Sequence, residues 1–251
     1  MRAPADRAPP PPQRGSIIAP TIAVVVGIAI LCGLGVWQVE RKAWKENLIA
    51  TLNARLAKPP VDLPPPTAWK DLKAQGHEWR RVHLLAEFIP GEEALVYTAG
   101  SSFRPDVKGP GYWVFAPARL AGGSIVIIDR GFVPLDQKKA ASHAAPTRLT
   151  DIVGVMRWPE TSGSFTPGAD VKDNVWYARD LKAIAAAKQW PDFAPFYIEQ
   201  ESPVPPGGLP KPGRLVVNLP NNHLQYVITW FGLALGLAGV YGVWLVRRRR
   251  T

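Results

Sequence analysis

Two long apolar runs, one near each end, dominate the pattern of hydrophobic and polar positions. From Ile17 to Trp37 there is no charged side chain, and from Leu224 to Val246 there is none either. Each run supplies about 20 apolar residues, enough at about 1.5 Å rise per residue to cross a hydrocarbon core of about 30 Å. Transmembrane helices are therefore expected at 17–37 and 224–246. Past Gly35 the chain reads Val-Trp-Gln-Val-Glu-Arg-Lys, with no small-x-small cleavage site, and the run is too long for the core of a signal peptide. Leu31 precedes Cys32 where a lipoprotein signal needs a small residue. The first run reads as an uncleaved anchor.

The helical period does not stop at the membrane. Trp37, Arg41, Trp44, Lys45, Leu48 and Leu52 recur at threes and fours, so the first helix is expected to continue to about Ala57, ahead of Pro59 and Pro60. After Pro64 to Pro66 the patterning changes to short runs rich in β-branched and aromatic residues, separated by Gly and Pro. Strands are expected at Trp79–Phe88, Ala94–Thr98, Gly111–Ala116, Ser124–Val133, Ile152–Arg157, Val175–Ala178 and Phe196–Glu199, with another near Arg214–Asn218. Only Asp180–Gln189 reads as an interior helix, with Asp180 near its start and Pro191 past its end. The expected fold is thus a membrane protein. Two transmembrane helices flank a mainly β, barrel- or sandwich-like domain at residues 60–218, with one short helix. A second Pro-rich linker, Pro203 to Pro212, leads toward the final helix, and residues 1–16 read as a disordered Pro-rich tail.

Charge changes the picture by its placement. The formal net charge is +10, but Arg2, Arg7 and Arg14 against Asp6 give +2 and Arg247 to Arg250 give +4, so +6 of it lies in two short tails. Such tails beside membrane spans are topology signals rather than a nucleic-acid footprint. They put both termini in the cytoplasm and the domain outside, against the weaker contrary signal of Arg41, Lys42 and Lys45. The lone Cys32 leaves the β domain with no disulfide, so its core holds by packing alone.

Enzymatic chemistry finds little support. There is no nucleotide-binding glycine loop, no Cys/His zinc pattern and no nucleophile–base pair, so the chain does not read as an enzyme. Gly109-Pro110-Gly111 and Gly122-Gly123 read as turns. In Asp129-Arg130-Gly131, Arg130 is expected to pair with a carboxylate and Gly131 to permit a tight bend. His77, His83 and His143 read as structural or solvated. His223 differs, because it follows Pro220-Asn221-Asn222 at the mouth of the second span, where an Asn can cap the first turn. Tyr226, Val227 and Trp230 fall three, four and seven residues on. One helix face then offers a ligand nitrogen above two aromatic plates, suited to a flat macrocycle such as haem, with His223 on the iron. Tyr226 and Trp230 at one end, with Tyr241 and Trp244 at the other, equally fit interfacial aromatic belts. Gly232, Gly236 and Gly239 form a small-residue strip that could dock on Ala23 and Gly27 of the first span or on a foreign membrane subunit.

Four stretches give the chain a family resemblance. They are Leu34-Gly35-x-Trp37-Gln38-x-x-Arg41-x-x-Trp44-Lys45; Gly109-Pro110-Gly111-Tyr112; Arg130-Gly131-Phe132-Val133-Pro134; and Asn221-Asn222-His223-Leu224-Gln225-Tyr226 leading to Thr229-Trp230. In this order, and with the two-span layout, the chain resembles the bacterial-type members of the Surfeit locus protein 1 family, the cytochrome c oxidase assembly factors. Phe132 stands where that family usually has Trp, so an aromatic remains but no indole N–H is available there. The resemblance implies a chaperone of respiratory chain biogenesis in a bacterial inner membrane. Such a protein would receive haem a from the haem a synthesis machinery and deliver it to the catalytic subunit of the haem-copper oxidase. It also implies that the family's proposed haem ligand maps onto His223. The competing reading is a membrane scaffold that stabilises an oxidase assembly intermediate and binds no cofactor. Neither reading calls for nucleic acid.

The charged tails lead to a topology test. A reporter active only in the cytoplasm, fused to Thr251, is expected to be active, and a stably inserted but inactive fusion would refute the cytoplasmic C-terminus.

Overall fold

The computed structural model describes residues 16–138 and 145–250; the Pro-rich tail up to Gly15, His143 and Thr251 lie outside the described residues. In chain order the elements are α1 (Ile18–Ala57), β1 (Val61–Asp62), α2 (Ala74–His77), β2 (Arg81–Phe88), β3 (Ala94–Thr98) and β4 (Gly111–Leu120). There follow β5 (Ile125–Pro134), β6 (Thr150–Arg157), β7 (Val175–Trp176), α3 (Leu181–Lys188), β8 (Phe193–Ser202) and α4 (His223–Arg250). The described residues fall into two compact units, one formed by residues 16–47 with residues 220–250, the other lying within Leu48–Leu219.

The first unit is a pair of membrane-spanning helices. Both are long and apolar enough to cross a bilayer, and their apolar side chains are exposed along most of their length, as contact with lipid requires. Pro20 is tolerated because it lies in the first turn of α1. The helix ends two residues before Pro59, where the next proline would remove a donor and clash with the preceding turn. At the other end α4 runs on through Arg247–Arg250, so the four arginines form its last turn, where cations suit the helix macrodipole. The small-residue strip is not where the helices meet. Among the described residues nothing comes within 4 Å of a Cβ built on Gly232, Gly236 or Gly239. The close approach uses glycines of α1 against large side chains of α4 instead: a Cβ on Gly35 would lie 2.8 Å from the Phe231 ring, and one on Gly27 would lie 3.2 Å from Leu237. A bulky knob entering a glycine hole fills the gap that two facing glycine strips would leave.

The second unit is a barrel rather than a sandwich. Its strands run β1-β2-β6-β8-β5-β4-β3-β7, and β2 pairs with β4 as well as with β6. That second pairing, through Ala86↔Leu120, Glu87↔Arg119 and Phe88↔Ala118, closes β2, β6, β8, β5 and β4 into a ring without free edges. Every residue of β5 from Ile125 to Val133 is buried, which explains its near-continuous apolar run. Inside, Val82, Ala86, Ala118, Val126, Ile152, Phe196 and Ile198 are solvent-free. The helix α3 is capped as its sequence suggests, Asp180 accepting from the Ala183 N–H at 3.2 Å and Gln189 turning left-handed at φ 56°. The strand expected near Arg214–Asn218 is not a strand. This segment pairs with no strand among the described residues, and Val216 N–H donates to the Phe103 carbonyl at 2.8 Å.

The Pro203–Pro212 stretch is likewise less of a linker than its composition implies. Lys211 exchanges two backbone hydrogen bonds with Phe132, at 2.8 and 3.0 Å. Gly131 has φ 119°, and a Cβ there would lie 2.3 Å from the Lys211 backbone, so the approach needs glycine both for its dihedral and for its missing side chain. Arg104, almost fully buried, grips Asp106 in a two-pronged pair at 2.8 and 2.9 Å and donates to the carbonyls of Lys211 and Pro212, both at 3.2 Å. Hydrogen bonding from Arg104, with Lys211 beside it, holds the Asp106 carboxyl well below the usual carboxylate range.

A buried charged network sits across β5, β6 and β8. Glu199 pairs with Arg157 at 3.1 Å, and Arg157 lies 3.9 Å over the Trp79 ring. Asp129, opposite Glu199 in the ladder, accepts the Gly131 N–H at 3.1 Å with one oxygen. Its other oxygen has no hydrogen bond among the described residues, the Arg179 guanidinium standing off at 3.8 Å. Burial, reinforced by the Glu199 carboxylate, pushes the Asp129 carboxyl up from 3.8 to about 7. Between those values the native chain binds a proton that the unfolded chain releases, so stability is lost as pH rises through this window. Asp129→Asn keeps the acceptor for Gly131 and cannot ionise. Urea unfolding of the detergent-solubilised chain between about pH 4 and pH 8 should show a falling stability in the wild type and a flatter profile in the variant, which should be the more stable at the alkaline end. A slope that survives the substitution would assign the titration to another group.

Candidate functional site

His223 is the first residue of α4, and the chain before it approaches α1. Lys45 donates to the Pro220 carbonyl, and Gln225 N–H closes the first turn on the Asn222 carbonyl at 3.1 Å. Asn221 does not cap the helix through its side-chain oxygen, which is buried with no partner among the described residues. The helices run antiparallel, since Thr21 bonds Tyr241 at one end while Gln38 meets His223 at the other.

The central contact of the site lies between His223 Nδ1 and Gln38 Oε1, at 2.7 Å. Gln38 is 8% exposed, although Trp37 and Trp44 of the same helix stay half exposed, with Arg41 stacked 4.0 Å over the Trp44 ring. The tryptophans that marked the helical stripe in the sequence are therefore not its packed face; Gly27, Gly35 and Gln38 are. Sequence reasoning gave Gln38 no role beyond its motif. The available signal was a carboxamide at the end of an apolar span, where an unpaired polar group is costly and so needs a partner.

The two aromatic residues expected to flank the ligand are placed differently from each other. Trp230 shares the half-buried face of His223 and Val227, and its indole Nε1 is buried with no hydrogen-bond partner among the described residues. Tyr226 is 51% exposed and stands off that face. At the opposite end of α4, Tyr241 stacks on Trp244 with ring centres 5.5 Å apart, the arrangement of an interfacial belt. Among the described residues no group of three or more His, Cys, Asp or Glu side chains could hold a metal ion. A lone imidazole suits only a metal that brings the rest of its ligands with it.

The other weighed motifs resolve as structural. Arg130 pairs with Glu93 and lies 5.3 Å over the Phe88 ring, and Gly131 makes the bend already described. His83 bonds Asp151 at 2.7 Å on an open part of β2. Phe132 is buried edge-on against Trp113, ring centres 5.6 Å apart, so this position is used for packing.

Comparison with known proteins bears on the whole chain. Residues 25–235 match the SURF1 family. A SURF1-like protein of Monosiga brevicollis is 34% identical over 229 residues, covering 87% of this chain and 83% of that one. Surfeit locus protein 1 of Rattus norvegicus is 32% identical over 230 residues, 86% of this chain and 72% of its own. A SURF1-like protein of the bacterium Rickettsia felis is 26% identical over 226 residues, covering 89% and 95% respectively. With the matched segment spanning both the helix pair and the barrel, the chain belongs to the SURF1 family.

Proposed function

We propose that this protein is an assembly factor for a haem-copper cytochrome c oxidase, that it receives haem a at His223, and that it passes the haem to the catalytic subunit. The observation that carries this reading is the lone imidazole at the head of α4, held through Nδ1 by a buried carboxamide at 2.7 Å, in a helix pair with no multi-ligand metal cluster among the described residues. Haem would supply iron that already carries most of its ligands, so His223 alone would suffice as the protein ligand. Trp230 adds an aromatic face and an orphan buried N–H that an oxygen on the rim of such a ligand would satisfy. Tyr226, half exposed and off that face, would reach such a ligand at its outer edge alone.

In the same reading the protein lies in a bacterial inner membrane, both termini cytoplasmic and the barrel periplasmic, and acts beside the haem a synthesis machinery. Delivery requires loose binding: each 1.4 kcal/mol of extra affinity slows release about tenfold at a fixed on-rate. Weak, partly occupied haem is therefore the expected state of the purified protein. The scaffold alternative has one specific observation in its favour, the unoccupied face of α4 at Gly232, Gly236 and Gly239, which is free for another membrane helix.

Replacing the ligand separates the two readings. His223→Ala is expected to remove iron ligation and oxidase assembly while leaving membrane insertion intact, and Tyr226→Ala and Trp230→Ala to lower haem occupancy severalfold without abolishing ligation. An unchanged Soret spectrum and full oxidase assembly in His223→Ala would make the scaffold the better account.

A further inference from the structure

We propose that Gln38 is the positioning residue for His223, holding the imidazole in the Nδ1–H tautomer so that Nε2 is the nitrogen left to coordinate. The inference rests on the haem reading above for its purpose, but the tautomer it specifies exists with or without haem.

The geometry starts from the helix pair. Gly35 and Gln38 lie three residues apart and so share one face of α1, and the Phe231 ring seated against Gly35 fixes how closely that face approaches α4. One turn along, the buried Gln38 carboxamide meets the first residue of α4. Its Oε1 stands 2.7 Å from His223 Nδ1. A carboxamide oxygen only accepts, so Nδ1 carries the proton. A neutral imidazole has one proton, and Nε2 is then left with the lone pair. With Gln38 itself buried, a carboxamide is the suitable partner: it fixes the tautomer and ring plane without adding charge. The reverse arrangement would have the Gln38 amide nitrogen donate to a bare Nδ1. That would leave Nε2 protonated and unable to bind iron.

The test uses the full chain in nanodiscs, with 15N-labelled histidine and haemin as the ligand probe. The signal of His223 is assigned by its loss in His223→Ala. Without haemin, the wild type should show His223 as the Nδ1–H tautomer. Gln38→Met, of similar length but without an acceptor, should release it into a tautomer mixture and weaken haemin binding by roughly 10–100-fold. Gln38→Glu, which keeps an acceptor, should retain both the tautomer and an affinity within a few-fold of wild type. An Nε2–H tautomer in the wild type, or an unchanged tautomer in Gln38→Met, overturns the proposal. If Gln38→Met fails to insert, the wild-type tautomer decides alone. A wild type that shows the Nδ1–H tautomer but takes no haemin sinks the haem reading and leaves the tautomer assignment standing.

Discussion

The candidate site depends on how closely two helices can approach. In a bilayer there is no hydrophobic gain in bringing α1 and α4 together, because lipid tails are as apolar as Leu, so the pair is held by packing and by whatever polar contacts it makes. Gly35 removes the side chain that would keep the Phe231 ring away. Once the ring is seated, Gln38 is carried within hydrogen-bonding distance of His223, and Thr21 meets Tyr241 near the far end. A larger residue at Gly35 would cost more than local packing, since the polar contact one turn away would open with it.

The barrel follows a different constraint, the absence of cross-links. Without cysteines it relies on closure, and the second pairing of β2 supplies that closure by removing the edges. The segment that leaves the barrel is fixed by two devices acting on the same two residues: the missing side chain of Gly131 admits the backbone of Lys211 and Pro212, and the Arg104 guanidinium binds their carbonyls. Prolines lack N–H donors, so this stretch joins the barrel backbone through Lys211 and is otherwise held by donors from outside, the Arg104 guanidinium among them.

The charged groups inside the barrel show what such closure costs. Arg157 and Glu199 satisfy one another, whereas Asp129 keeps one oxygen without a hydrogen bond and is pushed toward its neutral form. In the helix pair the buried polar group is a carboxamide, and the His223 ring 2.7 Å away gives it a partner. The barrel thus buries paired charges, whereas the contacts described between the two helices, Gln38 with His223 and Thr21 with Tyr241, join uncharged hydrogen-bonding side-chain types.

Much of this was legible in the chain. The two spans, the mainly β interior, the stop of α1 before Pro59, the short helix after Asp180 and the Arg130–Gly131 bend all follow from hydrophobic period and from the backbone rules for proline and glycine, which act within a few residues of the position that shows them. His223 stood out for the same local reason, as an imidazole at the mouth of an apolar helix. The tertiary structure decided the rest: that the strands close into a barrel, that the segment near Arg214–Asn218 is pinned rather than paired, that the Gly232–Gly239 strip faces away from α1, and that Gln38 is the residue facing His223. Each of these depends on which surfaces meet between segments far apart in sequence, 185 residues apart for Gln38 and His223. The period of a single helix places its residues on faces, but only the partner determines which face is covered.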